Sequence, residues 1–140
     1  MKQIFNSGNY SQKANLAFLI LRIVIGSVML THGLGKLSML FGSDPVQFPD
    51  PVGIGATASL AFTVFAEVVC SFLLIFGMAT RFAATILLIN MAVAVLVIHA
   101  QDAFGVKELA VLYSLTYLTI AIVGAGKISI DNLIYKKFSQ

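Results

Sequence analysis

Four runs of apolar residues, at about 15–34, 56–79, 82–100 and 107–125, take up most of the 140-residue chain. Each is close to the ~20 residues that an α-helix, rising 1.5 Å per residue, needs to cross a hydrocarbon layer of about 30 Å. The polar residues collect at the ends of these runs and in the links between them. Met78-Ala79-Thr80-Arg81 is all that separates the second run from the third, so those two helices are expected to be antiparallel neighbours. The longest link, Gly35–Gly55, holds Pro45, Pro49 and Pro51, and prolines at that density keep a segment extended or turned. Gln101–Lys107 makes a second short link. After the fourth run, Gly124 and Gly126 end the helix, and Ser129–Phe138 reads as an amphipathic helix lying along the membrane surface. The pattern predicts an all-α, integral membrane, four-helix antiparallel bundle forming a single domain over 1–140, with the lipid bilayer as its first partner.

Composition agrees with this reading. The chain is 59% hydrophobic and 11% charged, against about 25% charged in an ordinary globular domain. A net charge of +3 could suggest nucleic acid, but the basic residues flank the spans and form no patch, so nucleic acid is not expected as a partner. With an even number of spans, Lys2, Lys13, Arg81, Lys127, Lys136 and Lys137 share one side, and Lys36 and Lys107 share the other. The excess of positive charge on cytoplasmic flanks then predicts both termini in the cytoplasm. The first run is long enough to be a retained span rather than a cleaved leader. A lone Cys70 allows no disulfide within the chain and no dithiol chemistry.

The chemistry of interest lies in the polar residues inside the apolar runs. Arg22 and Glu67 interrupt consecutive spans, and a charge at that depth is normally paired within the bundle or used. With the helix ends taken as level, rise alone puts Arg22 about 12 Å and Glu67 about 18 Å from the same end, a gap of roughly 6 Å that an arginine side chain can close. A buried Arg22–Glu67 ion pair is therefore expected, with Asn90, also about 12 Å deep, as a third member. Such a pair serves packing in one reading and a proton or ligand site in the other. Gly26, Gly33 and Lys36 fall within about 40° of Arg22 on the helix, which marks a face packed against other helices. Thr63, Glu67, Cys70 and Ser71 share a face of the second span, and Glu108, Leu112, Leu115 and Thr119 share a face of the fourth.

Nearer the opposite end stand His32, Lys36, Glu108 and His99, with Asp102 at similar depth. They form the candidate ligand site. Histidines and acids at one level can hydrogen-bond a quinone carbonyl or bind a metal, and two histidines on different helices can ligate a haem; otherwise they are side chains in the wet interfacial zone. His32 is the better placed histidine, because His99 points about 180° from Asn90 on an ideal helix. Tyr113 and Tyr117 read as packing or lipid-facing aromatics. No dinucleotide loop, phosphate loop or His-Glu-x-x-His is present, so no catalytic residue is assigned and no metal or cofactor is expected from the chain's own motifs.

Several short motifs occur in an informative order: Leu-Arg-x-x-x-Gly at Leu21–Gly26, His-Gly-x-x-Lys-Leu at His32–Leu37, Ala-Glu at Ala66–Glu67, Gly-x-x-x-Arg at Gly77–Arg81, and Glu-x-Ala-x-x-Tyr at Glu108–Tyr113. In this order and spacing, over roughly residues 15–132, the chain resembles the DoxX family. The resemblance implies a small bacterial inner-membrane protein with a four-helix bundle. Relatives include the DoxD-type subunit of a thiosulfate:quinone oxidoreductase and membrane partners of redox-stress enzymes. It therefore implies a quinone-associated or accessory subunit of a membrane oxidoreductase, working with a redox-enzyme partner subunit or as a homo-oligomer. The alternatives are a non-enzymatic membrane scaffold and a small-solute or proton pathway.

Overall fold

The computed structural model describes residues 10–139. Lys2 and the other residues before Tyr10 lie outside the described residues. Four helices are long and apolar enough to span a membrane: α1 (Gln12–Leu40), α2 (Ala56–Phe76), α3 (Thr80–Ile98) and α4 (Phe104–Val123). A shorter helix, α5 (Ile130–Ser139), follows. Among the described residues there is no strand. The expected bundle is present, and the protein is an integral membrane protein.

α1 packs along α2, α2 along α3 and α3 along α4, while α4 returns to α1 through a much thinner contact. The core gathers Met29, Cys70, Leu74, Leu87, Tyr117 and Ile120. Large apolar side chains such as Ile20, Val24, Phe62, Phe72, Ile89 and Leu115 are instead exposed around the outside. An apolar exterior over buried polar groups is what a bilayer requires, since hydrocarbon cannot satisfy a polar side chain. The α4 face carrying Glu108, Leu112, Leu115 and Thr119 belongs to this exterior. The inward face is Tyr113, Tyr117 and Ile120, so neither tyrosine faces lipid.

α1 runs six residues past the end expected from hydropathy. It starts with Ser11, whose Oγ accepts from Ala14 N–H at 3.3 Å, and continues to Leu40. Lys36 is therefore a helical residue and not part of the link. The link itself, Phe41–Gly55, has no helix. Asp50 fastens it to the start of α2 by accepting from Gly55 N–H at 2.8 Å, Ser59 Oγ at 2.8 Å and Ile54 N–H at 3.0 Å.

Two spans leave α-helical geometry for one wide turn each. In α2 this covers Phe65–Cys70 and contains Glu67. In α3 it covers Ala94–Ile98, where His99 N–H donates to Ala94 C=O at 2.9 Å across five residues. Wide turns of this kind insert an extra residue into a helix and are frequent at functional sites.

Candidate functional site

The buried charges are not arranged as the sequence suggested. Arg22 and Glu67 are both buried, at 1% exposure each, but they do not pair. Contacts between glycines of α1 and residues of α2 set the register. A Cβ on Gly26 would stand 2.7 Å from Ile75 Cγ1, and one on Gly33 would stand 2.9 Å from Glu67 Cβ. Glu67 is thus level with Gly33, which lies eleven residues, or about 16 Å, along α1 from Arg22. The expectation failed because α1 is not flush with α2. Its first turns extend beyond the Gly77–Ala79 link that joins α2 to α3, so equal distances from the helix ends are not equal depths.

Arg22 belongs to the end of the bundle that carries the termini. Its Nη1 donates to Leu74 C=O at 3.3 Å, and its Nη2 donates to Ile128 C=O at 2.6 Å. Leu74 is in the last turn of α2, where its carbonyl also accepts from Gly77 N–H at 3.1 Å and the helix dipole favours a cation. The acid acting on Arg22 is Asp131. That carboxylate, itself 2% exposed, accepts from Ala79 N–H at 2.7 Å and Thr80 N–H at 2.9 Å. It caps the start of α3 from a segment fifty residues away in sequence, which the Ala79-Thr80 pair, offering no cap of its own, requires. Gly77 makes the turn with φ +68°, and a Cβ there would fall on Arg22 Nη1. The adjoining strap after α4 is held by Asn15, whose Oδ1 accepts from Lys127 N–H at 2.7 Å. Asp131 and Asn15 did not stand out in the sequence; a carboxylate at the start of an amphipathic helix reads as its own cap.

Glu67 belongs to a second cluster, toward the far end. Lys36 Nζ donates to Glu67 Oε1 at 2.5 Å, and Asn90 Nδ2 donates to the same oxygen at 3.2 Å. Glu67 Oε2 is buried and, among the described residues, has no hydrogen-bond partner. These groups line a cavity of about 430 Å³ together with His32, His99 and Tyr113. Met29, Met91, Ile98 and Leu109 supply apolar walls, and Phe48, Pro49 and Pro51 bring the long link over it. Its size falls within the range of about 300–1,000 Å³ typical of small-molecule sites, and its few polar groups converge on mainly apolar walls as such sites do.

His32, Lys36 and His99 all line the cavity, but Glu108 does not; it is exposed on the outer face of α4. His99 shares the cavity with Asn90 because the wide turn between them withholds about one residue's rotation, roughly 100°, from the ideal 180° separation. His99 Nδ1 is 2.7 Å from Asp102 Oδ2. The His32 ring meets Tyr113 edge-on at 6.2 Å, and Tyr113 stacks on Tyr117 at 5.9 Å. Tyr113 thereby connects the cavity to the core. Among the described residues, no three His, Cys, Asp or Glu side chains are grouped so as to hold a metal ion.

The chain is 36% identical to an uncharacterized protein of Haemophilus influenzae over 87% of this chain and 92% of that protein. It is 27% identical to CatD of Bacillus subtilis, whose name assigns it provisionally to the oxidoreductases, over 84% of this chain and 87% of that protein. It is also 27% identical to the inner membrane protein YqjF of Escherichia coli, over 89% of this chain and 96% of that protein. No solved structure matches. The DoxX family profile matches residues 17–100, a stretch that takes in Arg22, Gly26, His32, Gly33, Lys36, Glu67, Gly77 and Asn90. The residues that set helix register, brace the terminal end and build the cavity thus fall largely within the matched region, and the chain belongs to the DoxX family.

Proposed function

We propose that this protein is a quinone-binding membrane subunit of an oxidoreductase system, with the cavity around Lys36, Glu67 and Asn90 receiving the quinone head. One observation carries the reading: a small polar cluster converges on an otherwise apolar cavity inside a bundle whose exterior is adapted to lipid. Lys36, Asn90 and Tyr113 offer hydrogen-bond donors suited to a quinone carbonyl, and Glu67 offers an acceptor suited to a hydroquinone hydroxyl. The chain carries no redox motif, so the electrons are supplied or taken by a partner subunit that holds the redox centre. The name of the Bacillus subtilis relative supports association with oxidoreduction.

A solute pathway is the less favoured reading, because the polar cavity and the Arg22–Asp131 cluster are separated by a core layer of Met29, Cys70, Leu74 and Leu87. The reading includes an orientation with both termini in the cytoplasm. Lys13, Arg81, Lys127, Lys136 and Lys137 flank that side, and Lys36 is turned inward from the other.

The test is direct. Protein purified in lipid nanodiscs should retain a quinone that solvent extraction releases, and added quinone should raise its melting temperature. Lys36→Met should abolish both effects. Protein that carries no quinone and melts identically with and without it would end the proposal.

A further inference from the structure

A second cavity, of about 370 Å³, lies on the outer side of the bundle between α2 and α3. Phe62, Phe65 and Ala66 line it from α2, and Ile86 and Ile89 line it from α3. Phe62 is 69% and Ile89 55% exposed, so the groove opens toward lipid. Pro51, Thr63, Asn90 and Val93 line both this groove and the polar cavity, so the two spaces share a wall. The groove's one further polar lining residue, Ser59, already donates its hydroxyl to Asp50. The result is an apolar groove facing the bilayer, with these shared residues standing between it and a chamber that holds a carboxylate, an ammonium and an amide.

We infer that the groove between α2 and α3 receives the prenyl tail of the quinone whose head occupies the cavity, and that this ligand enters sideways from the bilayer past Asn90 and Thr63. The inference rests on the quinone reading above and adds the ligand's tail and route. A head bound in the cavity must leave its chain somewhere, and an apolar groove just across the shared Thr63 and Asn90 side chains gives that chain a course toward lipid. A phospholipid acyl chain could lie in the groove, but it would gain nothing from the cavity behind Asn90.

The experiment fills the groove and compares two probes on the full-length protein in nanodiscs: a decyl-tailed benzoquinone and the same ring without a tail. Ala66→Leu fills the groove from α2 and Ile86→Phe fills it from α3; either one that folds suffices. Both should weaken the tailed quinone by about tenfold, the loss expected when two or so methylenes are no longer buried, and should leave the tail-less ring unchanged. Comparing variant with wild type for each probe cancels partitioning of the tail into lipid. If the tail-less ring binds and the tailed quinone is indifferent to both variants, the groove assignment fails while the quinone reading survives. Loss of a tightly held phospholipid in the variants, with quinone binding unchanged, would overturn it as well. If wild type binds neither probe, both readings fall together.

Discussion

Gly33 stands level with Glu67, and a Cβ on this glycine would lie 2.9 Å from both the Cβ and the carbonyl carbon of Glu67. The missing side chain lets α1 approach α2 at its wide turn, close enough for Lys36 to reach back to the carboxylate. Gly33→Ala should force the two helices apart and cost about 1–3 kcal/mol, as overpacking typically does. Thermal melting in detergent checks this. Gly35→Ala provides the control, because nothing lies within 4 Å of a Cβ there, and it should melt at or above the wild type, since alanine is favoured over glycine within a helix.

The Lys36–Glu67 pair should respond unequally to loss of either partner. The Lys36 side chain is 30% exposed, while that of Glu67 is only 2% exposed. In Glu67→Gln, the lysine can turn toward water along its flexible stem, and the change should stay within about 1 kcal/mol. In Lys36→Met, the buried carboxylate keeps only Asn90, and the cost should reach about 2 kcal/mol, below the roughly 3–5 expected when a fully enclosed pair is broken. Chemical or thermal denaturation of both variants decides it, and equal losses would show that the carboxylate is not the dependent partner.

At the terminal end, Asp131→Asn should destabilise the protein by about 1 kcal/mol and Asp131→Ala by up to about 2, the range for loss of a helix cap. Amide exchange should rise first at Ala79 and Thr80. Gly77→Ala should be harsher, because it combines left-handed backbone, costing about 1–2 kcal/mol, with displacement of Arg22. Recovery of folded protein by size-exclusion chromatography should fall well below wild type.

Acid should loosen the long link. The N–H of Gly55 and the Ser59 hydroxyl, with further N–H donors, hold the Asp50 carboxyl below the usual carboxylate range. Its stabilising effect is complete above the unfolded value of about 3.9 and is lost as pH falls through the lower folded value. Proteolysis within residues 41–55 should therefore accelerate in strongly acidic buffer. Asp50→Asn should show the faster cleavage already at neutral pH and lose the dependence.

The spans, their number and their antiparallel order were legible because hydropathy and link length depend on local sequence. So was the demand of Arg22, Glu67, Asn90 and Lys36 for polar partners, since ionisable or amide groups inside or beside apolar helices need them. Who partners whom was not legible. Pairing depends on how far one helix slides along its neighbour, and that is fixed by contacts such as Gly26 against Ile75, which no span boundary reveals. The same holds for His99, whose direction depends on a wide turn within the featureless run Ala94–Ile98. Asp131 escaped notice because its role is to serve a helix start fifty residues earlier.

The strap that follows α4 also bears on how the protein is made. Arg22 enters the membrane with the first span, and Thr80 with the third, yet the Ile128 carbonyl and the Asp131 carboxylate that engage them are synthesised only after the fourth. During biogenesis the early spans must therefore wait with a buried guanidinium short of one of its two acceptors and an uncapped helix start. Completion of this end of the bundle follows synthesis of the fourth span, and a ribosome stalled before residue 128 would leave a nascent chain open to membrane quality control.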